Sequence, residues 1–368
     1  MSEDEFNKAF ASHRNDFVYY DELDGESVVI NVGLVASFQI TKSYTPEGRQ
    51  RIVDAVEIFC RYHGDKLKWG YRGAEDMLAH DYSPASVKAT LAYLAGDGFA
   101  EPLAFRWASV EGYGNVPDYM IDGYSPAGWM EEVHGTFTTL RFYLPVAEIL
   151  QGRKERFEAL LHEMCCALEP LHAAAGLGVQ HTYQWEDFQH VEYEVAMTYQ
   201  GLDLARPRGN PSWRSGYSNL NWYTYINSAW MSKLGTQDAL LAKLDDIRIG
   251  VQYLPKGTLL RAGDWPALWK VGFDEKPEHY VRVNELIKSL RVEDIGALHY
   301  GSIAGETRMT QLISNAWLRR FDLPPGKALP TAPLRYRYVS AAEREQVANR
   351  KRILDDFLAT SNAKLPGS

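Results

Sequence analysis

An α+β protein, with mixed and antiparallel sheets flanked by helices, is the fold the sequence predicts, and three observations carry it. Asn219 to Pro266 reads as strand, helix, strand, turn, strand. A strand–Pro–helix–Gly–strand pattern occurs twice, at Pro46 and about a hundred residues later at Pro145, hinting at internal duplication. Strands and helices elsewhere mix without strict alternation, which separates this class from a wound parallel sheet.

In the first of these, Leu220, Trp222, Thr224 and Ile226 share one face of an extended run, with Tyr223 and Tyr225 on the other. Thr236 is placed to cap a helix carrying Leu240, Leu241 and Leu244. Ile247 to Leu254 is strand-like, Leu254-Pro255-Lys256-Gly257 supplies a turn, and Leu259 and Leu260 run back beside it.

From the N-terminus, residues 1–27 carry eight acids against Lys8 and Arg14 and predict a solvated arm. Val28 to Thr41 reads as one long strand or two short ones broken near Gly33. Thr45-Pro46 opens a helix whose buried stripe is Ile52, Val53, Val56, Phe59, Cys60 and His63, and Gly64 ends it. Leu67 to Tyr71 is strand-like, Ser83-Pro84 caps a helix with Val87, Leu91 and Leu94 inward, and Phe99 to Val110 is extended. Gly112 to Gly128, rich in Gly, Pro and Tyr, reads as a long loop.

Gly135 to Leu144 predicts a strand with Leu140, Phe142 and Leu144 on one face. Pro145 then heads a helix carrying Phe157, Leu160, Leu161, Met164, Cys165 and Leu168, with Pro170 near its end and Gly176 closing the segment. Leu177 to Tyr183 is the next strand. Gln189 to Tyr199 alternates and reads as another, with Glu192 and Glu194 on a wetted face. Residues 205–217 read as loop. Helices follow at Pro277 to Leu290 and Met309 to Trp317, then a Pro-rich link, a strand Leu334 to Val339, and a last helix behind the Ser340–Glu343 capping box. These divide into an acidic arm (1–27), two α+β subdomains (28–130 and 131–330) and a C-terminal strand and helix (331–368).

The chain has 368 residues, 45% hydrophobic, 24% charged and 12% aromatic, ordinary for a globular protein except for its ring content. A net charge of −9 argues against direct nucleic-acid binding, which needs clustered cations, and suits a basic protein partner. The three cysteines, Cys60, Cys165 and Cys166, make no CxxC pair or zinc spacing, which predicts a reducing, cytoplasmic setting. No export signal and no stretch of membrane-spanning length is evident.

Candidate chemistry is sparse. His181, Glu186, Asp187 and His190 form the best metal-like cluster, but their spacing matches no standard site, and no metal or other cofactor is assigned. Gly176-Leu177-Gly178 lies between helix and strand, the reverse of a dinucleotide fingerprint. Asp322 to Lys327 lacks the first Gly and the Ser/Thr of a phosphate loop, and no Gly-x-Ser-x-Gly elbow occurs. His162 and His172 flank an apolar helix stripe. Trp129, Trp185, Trp213 and Trp265 sit in loop contexts that suit local packing or interface anchors.

Several stretches together carry a resemblance. They are Ile40-Thr41…Tyr44-Thr45-Pro46, Leu67-Lys68-Trp69-Gly70-Tyr71, Asn221 to Ile226, Lys233-Leu234-Gly235, and Gly257 to Pro266. Over residues 28–290 the chain resembles the bacterial type VI secretion immunity proteins, the TsiV-like and TsiT-like family. One departure is Ala267-Leu268-Trp269-Lys270, where the family often continues with Leu-Gly-Asp. The resemblance implies a non-enzymatic cytoplasmic antitoxin that protects its own cell in bacterial competition. It would bind a cognate toxic effector, a nuclease, encoded beside it. Charge placement then selects Asp21, Glu22, Asp24 and Glu26 of the arm, with Glu192 and Glu194, as partner contacts, and Trp265 joins them as an interface anchor. The alternatives are a metal-dependent enzyme using His181, Glu186, Asp187 and His190, and a scaffold subunit of the secretion machinery.

Overall fold

The computed structural model describes residues 1–21, 25–74, 77–204, 210–236, 240, 244, 246–300, 308–322, 349 and 352–353. The expected C-terminal link beyond Asp322 and the strand after it fall outside these residues, as do Glu22 and Asp24, and of the last helix only 349 and 352–353 are described, as helix.

One antiparallel sheet of eleven strands organises the described chain. Its strands are β1 (Tyr19–Tyr20), β2 (Val28–Ile40), β3 (Trp69–Arg72), β4 (Leu78–Asp81), β5 (Leu103–Ala108), β6 (Met120–Ser125), β7 (Thr138–Leu144), β8 (His172–His181), β9 (Tyr223–Asn227), β10 (Ile249–Leu254) and β11 (Gly257–Ala262). Across the sheet the order is β10-β11-β9-β8-β2-β7-β6-β5-β3-β4, with β1 paired to β2. β2 is the hub, pairing with β7 along one edge and with β8 along the other. Strands from 28–130 and from 131–330 therefore share one sheet.

β2 runs unbroken through Gly33. A Cβ there would meet the Gln180 amide at 2.3 Å. That amide crosses β2 to donate to the carbonyls of Leu34 and Leu144, at 3.1 and 3.0 Å. The glycine makes room for a cross-strand tie rather than interrupting the strand.

Two helices cover one face. α2 (Pro46–His63) starts with Thr45 accepting from the Gly48 N–H, and Pro46 occupies the first turn. After α3 (Pro84–Leu94) and α4 (Gly128–His134) comes α5 (Lys154–Leu168), which buries the six expected residues: Phe157, Leu160, Leu161, Met164, Cys165 and Leu168. Pro145 heads a 3-10 turn, Val146–Ile149, instead of the helix. Gly176 lies inside β8, and α5 closes on Glu169 in the left-handed conformation. The helices lie antiparallel, since Arg51 near the start of α2 pairs with Glu169 at 2.8 Å while Arg61 near its end reaches Glu163. Leu34, Ala36 and Phe38 of β2 and Leu140, Phe142 and Leu144 of β7 form the sheet's side of this core.

Three expectations are corrected. Residues 189–199 are not a strand. They form helix α6 (Gln189–Thr198), which buries Gln189, Glu192, Tyr193, Val195 and Ala196 at helical spacing. The two-residue alternation misled because Glu192, a buried position, is charged. The region read as a loop at 112–128 contains β6, whose Asp122 and Gly123 lowered its apolar content. The N-terminal arm is docked structure: α1 (Glu3–Ser12) carries a capping box on Ser2 and Glu5, and Phe6 and Phe17 are buried. Phe6 stacks on Trp265 with centroids 5.3 Å apart.

Candidate functional site

The face of the sheet opposite α2 and α5 is polar at its centre. Alternation along β2, β5, β6 and β7 sends Ser37, Arg106, Asp122 and Arg141 to that side, and the register places them in one row. Tyr71 of β3 is opposite Arg106, Arg106 is opposite Asp122, Asp122 is opposite Arg141, and Arg141 is opposite Ser37. A line of cation, anion, cation thus crosses three adjacent strands.

This row floors a cleft of about 530 Å³. Tyr183, Trp185, Glu186, Asp187 and Tyr300 contribute to its walls. Arg141 holds Asp122 with two hydrogen bonds, Nε to Oδ1 at 3.0 Å and Nη2 to Oδ2 at 2.6 Å. Burial alone would lower the Arg141 pKa, but the Asp122 carboxylate outweighs it and raises it.

Arg106 is treated differently. It is 2% exposed, and its Nε is buried with no hydrogen-bond partner among the described residues. Its guanidinium lies 5.7 Å from the Tyr183 ring centroid. Burial lowers its pKa, and Asp122 offsets only part of this. Glu186 and Asp187, on the 3-10 turn Trp185–Phe188, are exposed. Tyr300, with 61% of its surface exposed, has a phenol pKa raised by partial desolvation and by the charge of Glu186.

The expected metal-like cluster is not assembled. His181 Nε2 faces Glu192 Oε1 at 3.0 Å, while Glu186 and Asp187 lie exposed beside the cleft and His190 is on α6. Among the described residues no group of three His, Cys, Asp or Glu is placed to hold a metal ion. The buried group that does form is His181–Glu192–His299. His299 Nδ1 accepts from the Met309 N–H at 3.0 Å, so its Nε2–H donates to Glu192 Oε2 at 2.8 Å. Burial would raise the Glu192 pKa, but His181 and His299 hold it far below the usual carboxylate range.

Glu192 is therefore an interior anion, not a wetted contact. Glu194, two residues on and so on the opposite side of α6, is exposed. It belongs with the N-terminal segment: the Tyr19 phenol pKa is raised by burial and by the charges of Glu194 and Asp16. Asp21 is half-buried and Glu26 exposed in the turn before β2. Trp265 is covered by Phe6 on one side, with Lys154 Nζ 5.0 Å from its centroid. Trp213 is buried, Trp185 lines the cleft, and Trp129 is 45% exposed.

Sequence reasoning missed Arg106, Asp122 and Arg141. A signal existed for the arginines, since each is a lone cation inside an apolar strand, Leu-Ala-Phe-Arg-Trp-Ala and Thr-Leu-Arg-Phe-Tyr. Asp122 was hidden by the loop reading of β6.

Among curated proteins, none matches the chain significantly. Among solved structures, the Pseudomonas aeruginosa T6SS protein PA0821 superposes with a TM-score of 0.76 at 22% identity, covering 87% of this chain and 92% of that one. That likeness establishes a shared fold. The family model "TsiV: Type VI immunity for VRR-NUC" matches residues 51–321, from the first turns of α2 to Phe321 beyond the helix Gln311–Leu318. With the sheet, both covering helices and the cleft floor inside that match or paired to it, the chain belongs to the TsiV family of type VI immunity proteins.

Proposed function

We propose that this protein neutralises a VRR-NUC nuclease effector by stoichiometric contact in the cytoplasm, without chemical turnover. The family match over residues 51–321 carries the reading, because the family is described as immunity for that effector class. The charge balance of −9 supports it, since a surface that grips nucleic acid is cationic and attracts an acidic partner. No described helix is long and apolar enough to cross a membrane.

Asp21, Glu26 and Glu194 are the acidic residues proposed to steer the encounter, with Asp16 beside them. Glu192 has no part in that surface, being buried against two imidazoles.

The test is co-expression with a cognate VRR-NUC effector. Growth should be rescued and the two proteins should co-purify. Growth arrest despite folded, abundant protein would contradict the proposal.

A further inference from the structure

We infer that the cleft on the open sheet face is a socket for an acidic-tipped loop of the effector, whose carboxylate is received by Arg106. The inference rests on the immunity reading and adds a contact to it. Its first support is the hydrogen-bond inventory of the row. Two guanidinium groups flank one carboxylate in register, and Arg141 takes that carboxylate bidentately. Arg106 keeps a buried Nε with no partner among the described residues. Leaving a buried donor of a charged group unmade is costly, so an unpaired one in the lining of a cleft calls for a partner.

The second support is the shape and chemistry around it. A volume of about 530 Å³ admits a few side chains, not a helix. Tyr71, Tyr183, Trp185 and Tyr300 supply aromatic wall, the residue types that, with Arg, dominate interface energetics.

The third is the order of charges from floor to mouth. Arg106 lies on the floor, Asp203 is a second carboxylate buried in the lining besides Asp122, and the exposed Glu186 and Asp187 stand at the side. That pattern disfavours a polyanion, whose neighbouring phosphates would face those carboxylates. It fits a segment that presents one carboxylate at its tip and cationic or neutral groups behind it.

The experiment compares the full chain with R106M and R106K for affinity to the effector and for thermal stability. R106M should weaken binding by about a hundredfold or more with the melting temperature unchanged or higher, and R106K should recover part of the loss. The double variant E186Q/D187N should weaken binding less, chiefly through the on-rate. An R106M protein that binds like wild type overturns the socket and leaves the immunity reading standing. An R106M protein that loses stability in step with affinity also overturns it. Wild type that binds no effector overturns both.

A second arm needs no variant. The capped peptide Lys-Gly-Glu-Gly-Lys should shift the NMR resonance of the Arg106 Nε–H, while Lys-Gly-Gln-Gly-Lys and inorganic phosphate should not. No shift with the first, or an equal shift with phosphate, overturns the assignment of the occupant.

Discussion

Glu192 carries a charge where no water reaches it, and the fold depends on the two histidines that face it. The three side chains tie α6 to β8 and to the segment around His299. Removing one partner of a buried ionic group typically costs ~3–5 kcal/mol, because the others are left uncompensated. E192Q should therefore lose about 3 kcal/mol in urea denaturation at pH 7. The pH dependence follows from the direction of the shift. The folded-state pKa lies below the ordinary 4.5, so the unfolded chain binds the proton more readily. The stability it contributes is complete above about pH 4.5 and drains away as pH falls below that value. Wild type should show this acid slope and E192Q should lack Glu192's share of it; identical slopes would remove Glu192 from the account.

At the scale of elements, legibility tracked how cleanly an element buries apolar residues. The inward stripe of α5 and the hairpin β10–β11 follow directly from spacing and turn chemistry. α6 and β6 were misread for one reason: each carries a charge off the open surface, Glu192 buried in the helix and Asp122 on the cleft floor in the strand. A pattern of apolar positions cannot report a buried charge whose partners come from elsewhere in the chain, as His299 and Arg141 do. The acidic member of the cleft floor was hidden for the same reason, whereas its two arginines left a signal as lone cations in apolar strands.

Two predictions belong to this scale. G33A should displace the Gln180 amide from the Leu34 and Leu144 carbonyls and cost roughly 2 kcal/mol or more, read by thermal and urea denaturation. F6A should release α1 from Trp265 locally. Amide exchange over residues 3–12 should then quicken, with little change in the sheet. Exchange that quickens throughout would mean that α1 supports the whole core.

For the whole molecule, one sheet hubbed on β2 packs helices on one face and holds a charged cleft on the other, with acidic residues gathered near the N-terminal segment. Charge reversal at Glu26 and Glu194 should slow association with the effector about tenfold at low salt, and the difference should vanish at high salt. An unchanged rate at low salt would place the encounter elsewhere.

The most direct measurement is a titration of the effector's nuclease activity with purified immunity protein at effector concentrations well above the Kd. Inhibition by contact predicts a linear fall to a sharp end point at a fixed whole-number ratio, reversed when the complex is diluted and dissociates. Complete and lasting inactivation at a small fraction of that ratio would show turnover on the effector and contradict the account.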